Sequence, residues 1–316
     1  MAQDKITRQA LKTGRDCADE VIDFRAKALK RRTRAVAKRA AAQPLELAAA
    51  APVIAIPAVL AAAAGSSGLL IAEGDSWFDY PWTDILRILE DEHGYDVESV
   101  AHRGDRIEQM AYSGGQLEEF SRRLEKLLRI NRIPRAILLS GGGNDLAGTE
   151  FAMLLNHAAS PIPGLNDQVV TGVIDRRVRA AYITILAAIT HICQQWIGHP
   201  LPILIHGYDY AVPDGRGFLG GWSALPGPWL EPGFREKGFT DLEERKTIIK
   251  QMIDRFNTML SGVAAMPPFA HVTYVNLRKT LSSDSNYKLS WDNELHPTPK
   301  GFSLVTDRFV KVLDGL

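Results

Sequence analysis

From residue 69 onward, apolar positions alternate between short continuous runs and longer runs at helical spacing. Residues 69–72 (LLIA) are a short apolar run that meets Gly74. Ile85, Ile88 and Leu89 then keep helical spacing between Thr83, a predicted N-cap, and Gly94, a predicted C′ residue. Residues 97–101 supply a second short strand, and Leu117, Phe120, Leu124, Leu127 and Leu128 mark the buried stripe of the next helix. AILLS at 136–140, closed by Gly141-Gly142-Gly143, has the unbroken apolar character of a central strand buried on both faces. Ile174, Val178, Tyr182, Ile185, Ile189, Ile192 and Trp196 form a long helical stripe, and PILIH at 202–206 a fourth strand. Met252, Phe256 and Met259 mark another helix, residues 272–277 a fifth strand, and Phe302, Val305, Phe309 and Val312 a last helix capped by Thr298 with Pro299 at N1. Repeated strand-then-helix units predict a parallel sheet with helices on both faces.

Two segments break this rhythm. Residues 207–240 carry eight glycines, four prolines and seven aromatic side chains without periodicity, and residues 147–168 are a second irregular excursion. Both leave just after a strand end, where an open α/β sheet holds its ligands, so both are expected to be lid-like insertions.

The first 68 residues are chemically different. The chain as a whole balances 37 basic against 37 acidic side chains, which excludes a globally basic nucleic-acid binder. Residues 1–43 nevertheless hold 12 basic and 5 acidic groups, contain no proline, and are rich in Ala, Leu, Lys and Arg, so they are expected to form a basic helical arm. Such an arm suits a solvated or oligomer-bridging helix, with peripheral contact to an anionic membrane as the alternative. Residues 44–68 are an Ala/Pro-rich linker. Its uncharged stretch at 47–64 has the length of a membrane span but is interrupted by Pro52 and Pro57. The main domain then covers 69–316. Cys17 and Cys193, far apart and outside any Cys/His cluster, read as plain thiols, a pattern that fits the cytoplasm without excluding export.

Candidate chemistry gathers at the strand ends. Glu73-Gly74-Asp75-Ser76-Trp77-Phe78 puts a serine on a strand-to-helix turn, with its hydroxyl at the open edge of the sheet. A serine nucleophile needs a base, and of eight histidines His296, in WDNELHPTPKGF, lies between strand five and the last helix, at that same edge. It needs also donors for a developing oxyanion, and Gly104 in AHRGD and Asn144 in GGND follow strands two and three. No GxxxxGK[ST] is present and GGGN does not complete GxGxxG, which argues against a nucleotide site.

Taken in order, these four segments resemble the blocks of the SGNH hydrolases, the GDSL-type esterase and lipase superfamily: GDSW with Ser76, RGD with Gly104, GGND with Asn144 and ELHPT with His296. The resemblance runs from 73 to 301 and leaves the arm unexplained. It implies a three-layer α/β/α sandwich with a five-stranded parallel sheet, a flavodoxin-like SGNH hydrolase fold, preceded here by the helical arm. It also implies a serine ester hydrolase that needs no metal or organic cofactor, with Ser76 as nucleophile, His296 as general base and an oxyanion hole from Ser76, Gly104 and Asn144.

One residue departs from the family pattern. The position three before the histidine, where the family has its triad acid, is Asn293, flanked by Asp292 and Glu294. An amide can hold the imidazole tautomer but cannot stabilise an imidazolium as a carboxylate does. Asp292 is therefore the expected acid, ahead of Glu294, with a Ser-His dyad as the other arrangement. The same departure is the one residue-level argument for the rival class, a non-hydrolytic SGNH-fold module that binds a ligand and is recruited by its arm. Trp77, Phe78 and Trp291 are the expected substrate-pocket residues, with Tyr80 and Trp82 beside them after the serine and Trp222 and Trp229 in the lid. His206, Tyr208 and Asp209 are expected to be structural or to support the site from behind. These aromatics favour lipidic or aryl esters; the expected partner is a small-molecule or lipid ester substrate, and no nucleic acid is expected.

Overall fold

The computed structural model describes residues 27, 30–38, 41, 66–112, 115–221 and 225–316. Most of the expected arm, the linker at 44–65, Cys17 and Trp222 lie outside the described residues. The described chain falls into two compact units, one of residues up to Gly68 with Leu89–Asp96, the other of Leu69–Ile88 with Val97–Leu316.

In the first unit, residues 30–38 are helical. Arg31 pairs with Asp91 at 2.6 Å and Arg32 with Asp96 at 2.5 Å. Gly94 is left-handed (φ +75°), and the Ser67 N–H donates to its carbonyl at 2.8 Å.

The second unit is built on a five-stranded sheet of β1 (Leu69–Glu73), β2 (Asp96–Ser99), β3 (Ala136–Leu139), β4 (Ile203–His206) and β5 (Val272–Val275), in the order β2-β1-β3-β4-β5. Its pairing is parallel: Ile71 lies beside Ile137, Leu138 beside Leu204 and Ile205 beside Tyr274. On the outer side of β1, the Val100 and His102 N–H groups step along the carbonyls of Ala72 and Gly74 in the same direction. The order follows from the sequence. AILL and ILIH, apolar or neutral throughout, are buried along their whole length in the middle, whereas DVES and VTYV, with polar positions to present to water, form the edges.

Right-handed crossovers lay helices on both faces of such a sheet. These are α1 (Ile85–Asp91), α2 (Ile107–Tyr112), α3 (Gln116–Arg129), α4 (Asp167–Ile197), α5 (Glu231–Glu236), α6 (Leu242–Ala264) and α7 (Pro299–Asp314). Phe120, Leu124, Leu127 and Leu128 of α3 are buried, as are Phe302, Val305 and Phe309 of α7. The Thr298 hydroxyl caps α7 by accepting from the Gly301 N–H at 3.0 Å.

Two details depart from expectation. The cap of α1 is Asp84, whose carboxylate accepts from the Arg87 N–H at 2.8 Å, so the helix begins one residue later than Thr83 would start it. In α4 the stripe holds through Ile189, but the last turn, 194–196, is exposed and Trp196 points to water while Cys193 is buried in its stead. The fold is thus an α/β arrangement on a five-stranded parallel sheet, as the resemblance implies, and order reversal between β1 and β3 opens a crevice at the carboxyl edge of the sheet.

Candidate active site

Gly74 and Ser76 follow directly on β1. A Cβ at Gly74 would lie 2.7 Å from Ser140 Cβ and 2.8 Å from the Phe78 ring, so only glycine lets this turn pass so close to the end of β3. Asp75 then locks the turn. Its carboxylate accepts from the Trp77 N–H at 3.0 Å, from the Ser140 hydroxyl at 2.7 Å and from the Tyr208 hydroxyl.

Ser76 and His296, 220 residues apart, meet with Oγ 2.7 Å from Nε2. The other ring nitrogen of His296, Nδ1, lies 2.9 Å from Asn293 Oδ1. That oxygen also accepts from the N–H groups of Leu295 and His296, each at 3.0 Å, while Asn293 Nδ2 donates to the Tyr80 hydroxyl at 2.9 Å and to Asp292 at 3.2 Å. Donors on the oxygen and acceptors on the nitrogen fix the amide in one orientation. An oxygen facing Nδ1 holds the tautomer protonated there and leaves Nε2 as the acceptor facing Ser76.

The carboxylate of Asp292, the expected acid, does not reach the His296 ring. Its side chain is exposed and accepts from Tyr80 and Asn293. The Asp292 N–H donates to the His296 carbonyl, a tight hairpin that turns residue 293, and not 292, toward the ring. Glu294 is directed elsewhere again: it is fully buried and accepts from the backbone N–H groups of Gly215, Trp229, Leu230 and Glu231.

With no carboxylate against it, His296 responds to burial alone, which pushes its pKa down to about 3. Tyr80 stacks on its ring at 4.3 Å and Trp229 stands edge-on at 5.5 Å. Burial among these rings favours the neutral imidazole.

Gly104 and Asn144 both border the cleft above Ser76. Asn144 Nδ2 donates one proton to the Asp105 carbonyl at 2.9 Å, which leaves the second for the cleft. Gly104 has φ +88°, a conformation glycine adopts without strain. Asp145, next to Asn144, is pushed up to about 6 by burial and accepts from the Ile107 N–H at 2.9 Å, so the GGND loop also caps α2, the helix that follows Gly104.

Of the expected pocket residues, Trp77 and Trp291 line a small cavity beside Ser76. Phe78 does not: it turns into the core against His206 (5.5 Å) and Phe309 (6.1 Å). Trp77 has a further part, its indole N–H donating to the Leu295 carbonyl at 3.1 Å.

A family model for the GDSL-like lipase/acylhydrolase family matches residues 60–304, well over half of the sequence. The chain belongs to this family. A comparison with curated proteins finds no match. Similar solved structures include a family 3 carbohydrate esterase of Clostridium thermocellum, at 14% identity and TM-score 0.41, covering 78% of this chain and 98% of that one. An acetylxylan esterase of Geobacillus stearothermophilus shares 11% identity, with TM-score 0.41, over 78% of this chain and 94% of its own. A lipase from a goat rumen metagenome shares 14% at TM-score 0.42, over 77% and 96%.

Tyr80, one of the aromatics that follow Ser76, borders the cleft, but nothing in its spacing from His296 indicates that it stacks on that ring. Tyr208 lies behind the site as expected, donating to Asp75, whose place beside the serine carried no sign of that contact.

Proposed function

We propose that the chain hydrolyses carboxylic esters through an acyl-enzyme on Ser76. The observation that carries this reading is the 2.7 Å contact between Ser76 Oγ and His296 Nε2, with Nδ1 already engaged by Asn293. His296 takes the hydroxyl proton as Oγ bonds to the ester carbonyl carbon. The carbonyl oxygen becomes an oxyanion, met by the N–H groups of Ser76 and Gly104 and the free amide proton of Asn144. Collapse breaks the bond to the alcohol oxygen, which leaves with the proton from His296. Water then adds to the acyl-enzyme by the same route and releases the carboxylic acid and the serine.

Burial keeps the Nε2 lone pair free but makes it a weaker base, so the proton transfer relies on the 2.7 Å contact and on the oxyanion that forms with it. The imidazolium formed on attack is balanced by the oxyanion instead of a third carboxylate. Labelling with diisopropyl fluorophosphate tests the reading. The expected result is one diisopropylphosphoryl adduct on the Ser76 peptide with parallel loss of p-nitrophenyl acetate hydrolysis; a label on another residue, or hydrolysis that persists in Ser76→Ala, overturns it.

A further inference from the structure

Ser76 stands between two spaces of different size. One is a cavity of about 50 Å³, walled by Trp77, Leu230, Ile249, Met252 and Trp291. The other is an open cleft of about 360 Å³, bordered by Tyr80, Arg103, Phe218, Trp229 and His296. Ser76, Asn144 and Leu295 border both.

An ester positioned for attack has its carbonyl carbon at Ser76 Oγ, and its two substituents must leave in different directions. The alcohol oxygen has to come within hydrogen-bond reach of the imidazole that returns its proton. His296 borders the cleft and not the small cavity, so the alcohol part lies in the cleft and the acyl chain in the cavity.

The cavity is small, and its inner wall belongs to the core. Leu230, Ile249, Met252 and Trp291 are core side chains, none more than 2% exposed. By the proportion that a void of about 150 Å³ takes the six carbons of benzene, a volume near 50 Å³ takes about two carbons beyond the carbonyl. It is also electrostatically quiet. Of the two carboxylates on its wall, Asp75 is held by Trp77, Ser140 and Tyr208, and Asp209 by the N–H groups of Tyr210, Lys279, Thr280 and Leu281. The cleft, in contrast, is wide and aromatic. Phe218 continues it outward by stacking on Trp82 (6.0 Å, 10° between planes), itself 68% exposed, and Arg103 is already paired with Asp79 at 3.2 Å.

Resting on the ester-hydrolase reading, we propose that this enzyme acts on short-acyl esters, up to about three acyl carbons, of bulkier apolar or ring-bearing alcohols, with Met252 at the end of the acyl cavity. Each further methylene forced against that wall lowers kcat/KM roughly tenfold, because a packed core yields poorly to added volume.

The test is hydrolysis of p-nitrophenyl acetate, butyrate, hexanoate, octanoate and palmitate by the wild type, Ser76→Ala and Met252→Ala, together with benzyl against ethyl acetate. The expected result is a drop of about tenfold between acetate and butyrate and a larger one from butyrate to hexanoate, the displacement of both to longer chains in Met252→Ala, a preference for benzyl over ethyl acetate, and no activity in Ser76→Ala. Ile249→Val serves the same purpose should Met252→Ala fail to give a cooperative thermal transition. A Ser76-dependent optimum at octanoate or beyond, or equal rates for benzyl and ethyl acetate, overturns the assignment and leaves ester hydrolysis standing. No hydrolysis of any of these esters, or activity that survives in Ser76→Ala, overturns the ester-hydrolase reading itself and this assignment with it.

Discussion

Asn293 Oδ1 lies 2.9 Å from His296 Nδ1, an amide at the place where the family pattern has a carboxylic acid. The amide is held in the productive orientation by the Leu295 and His296 N–H groups on its oxygen and by Tyr80 and Asp292 on its nitrogen. It therefore does the orienting work of an acid without contributing charge, and burial is left free to push the imidazole down to about 3.

This arrangement sets the acid limb of the pH-rate profile. Activity needs neutral His296 and is lost as pH falls through its pKa, so the wild type is expected to keep its kcat/KM well below pH 6. Exchanging amide and carboxylate in the double variant Asp292→Asn/Asn293→Asp puts a negative charge against Nδ1 and raises the imidazole pKa. An acid limb that moves up by more than one pH unit is the expected result. A limb that stays in place shows that Asn293 does not govern the base.

Asn144 is expected to act on the transition state and not on the ground state. Its second amide proton has no other acceptor assigned to it, so it becomes valuable only when an oxyanion forms in the cleft. Asn144→Ala is expected to lose about 10²–10³ in kcat with little change in KM, the cost of removing one oxyanion donor. Steady-state kinetics on p-nitrophenyl acetate measure both, and a rise in KM at unchanged kcat would assign Asn144 to substrate binding instead.

The sheet and the four loop segments were legible because each rests on a local signal: an unbroken apolar run, a glycine where two backbones meet, a cap before a helical stripe. Roles within WDNELH were not. Three consecutive polar residues in an extended segment divide between two sides, but the turn closed by the Asp292 N–H on the His296 carbonyl rotates them by an amount no spacing rule contains. So Asp292 was the expected acid, and Asn293 holds the ring. The role of Glu294, the second candidate acid, was hidden for a different reason: its partners are backbone N–H groups at 215 and 229–231, which any sequence carries. Trp77 and Phe78, alike as residues, separate because successive side chains on a tight turn diverge, one toward the cavity and one into the core.

Glu294 fastens the irregular loop that walls both spaces beside Ser76. Four buried N–H groups converge on one carboxylate. Glu294→Gln replaces one acceptor oxygen with an NH₂ that faces those donors. Charged hydrogen bonds contribute about 1.5–3 kcal/mol each, and an orphaned buried donor costs about as much, so a loss of roughly 3 kcal/mol is expected. The loss concentrates in the loop. Limited proteolysis is expected to cut between 215 and 231 in the variant before global unfolding, and KM for bulky alcohols to rise. Proteolysis patterns identical to the wild type would show that the loop is held by its other contacts.

Glu73 makes a separate pH-dependent contribution, to stability. It ends β1, is 3% exposed, and its Oε1 accepts from the Gly74 N–H at 3.1 Å and from Gln116 at 3.4 Å while Oε2 has no partner. Burial first, and then the carboxylates of Asp105 and Glu119, push its pKa from 4.5 up to about 8. A group whose folded pKa is raised contributes stability that is complete below the unfolded value and is lost as pH rises through the folded one. Between about pH 4.5 and 8 the unfolded chain releases this proton and the folded chain keeps it, so unfolding is favoured by up to about 1.4 kcal/mol for each pH unit climbed. Glu73→Gln keeps the shape and the acceptor for Gly74 but carries no proton to release. Urea unfolding at pH 5, 6, 7 and 8 should therefore show a wild type that weakens relative to the variant at each step, with the gap widening most between pH 5 and 7. Parallel stability curves would mean that Glu73 ionises in the fold as readily as in the unfolded chain, with water reaching Oε2.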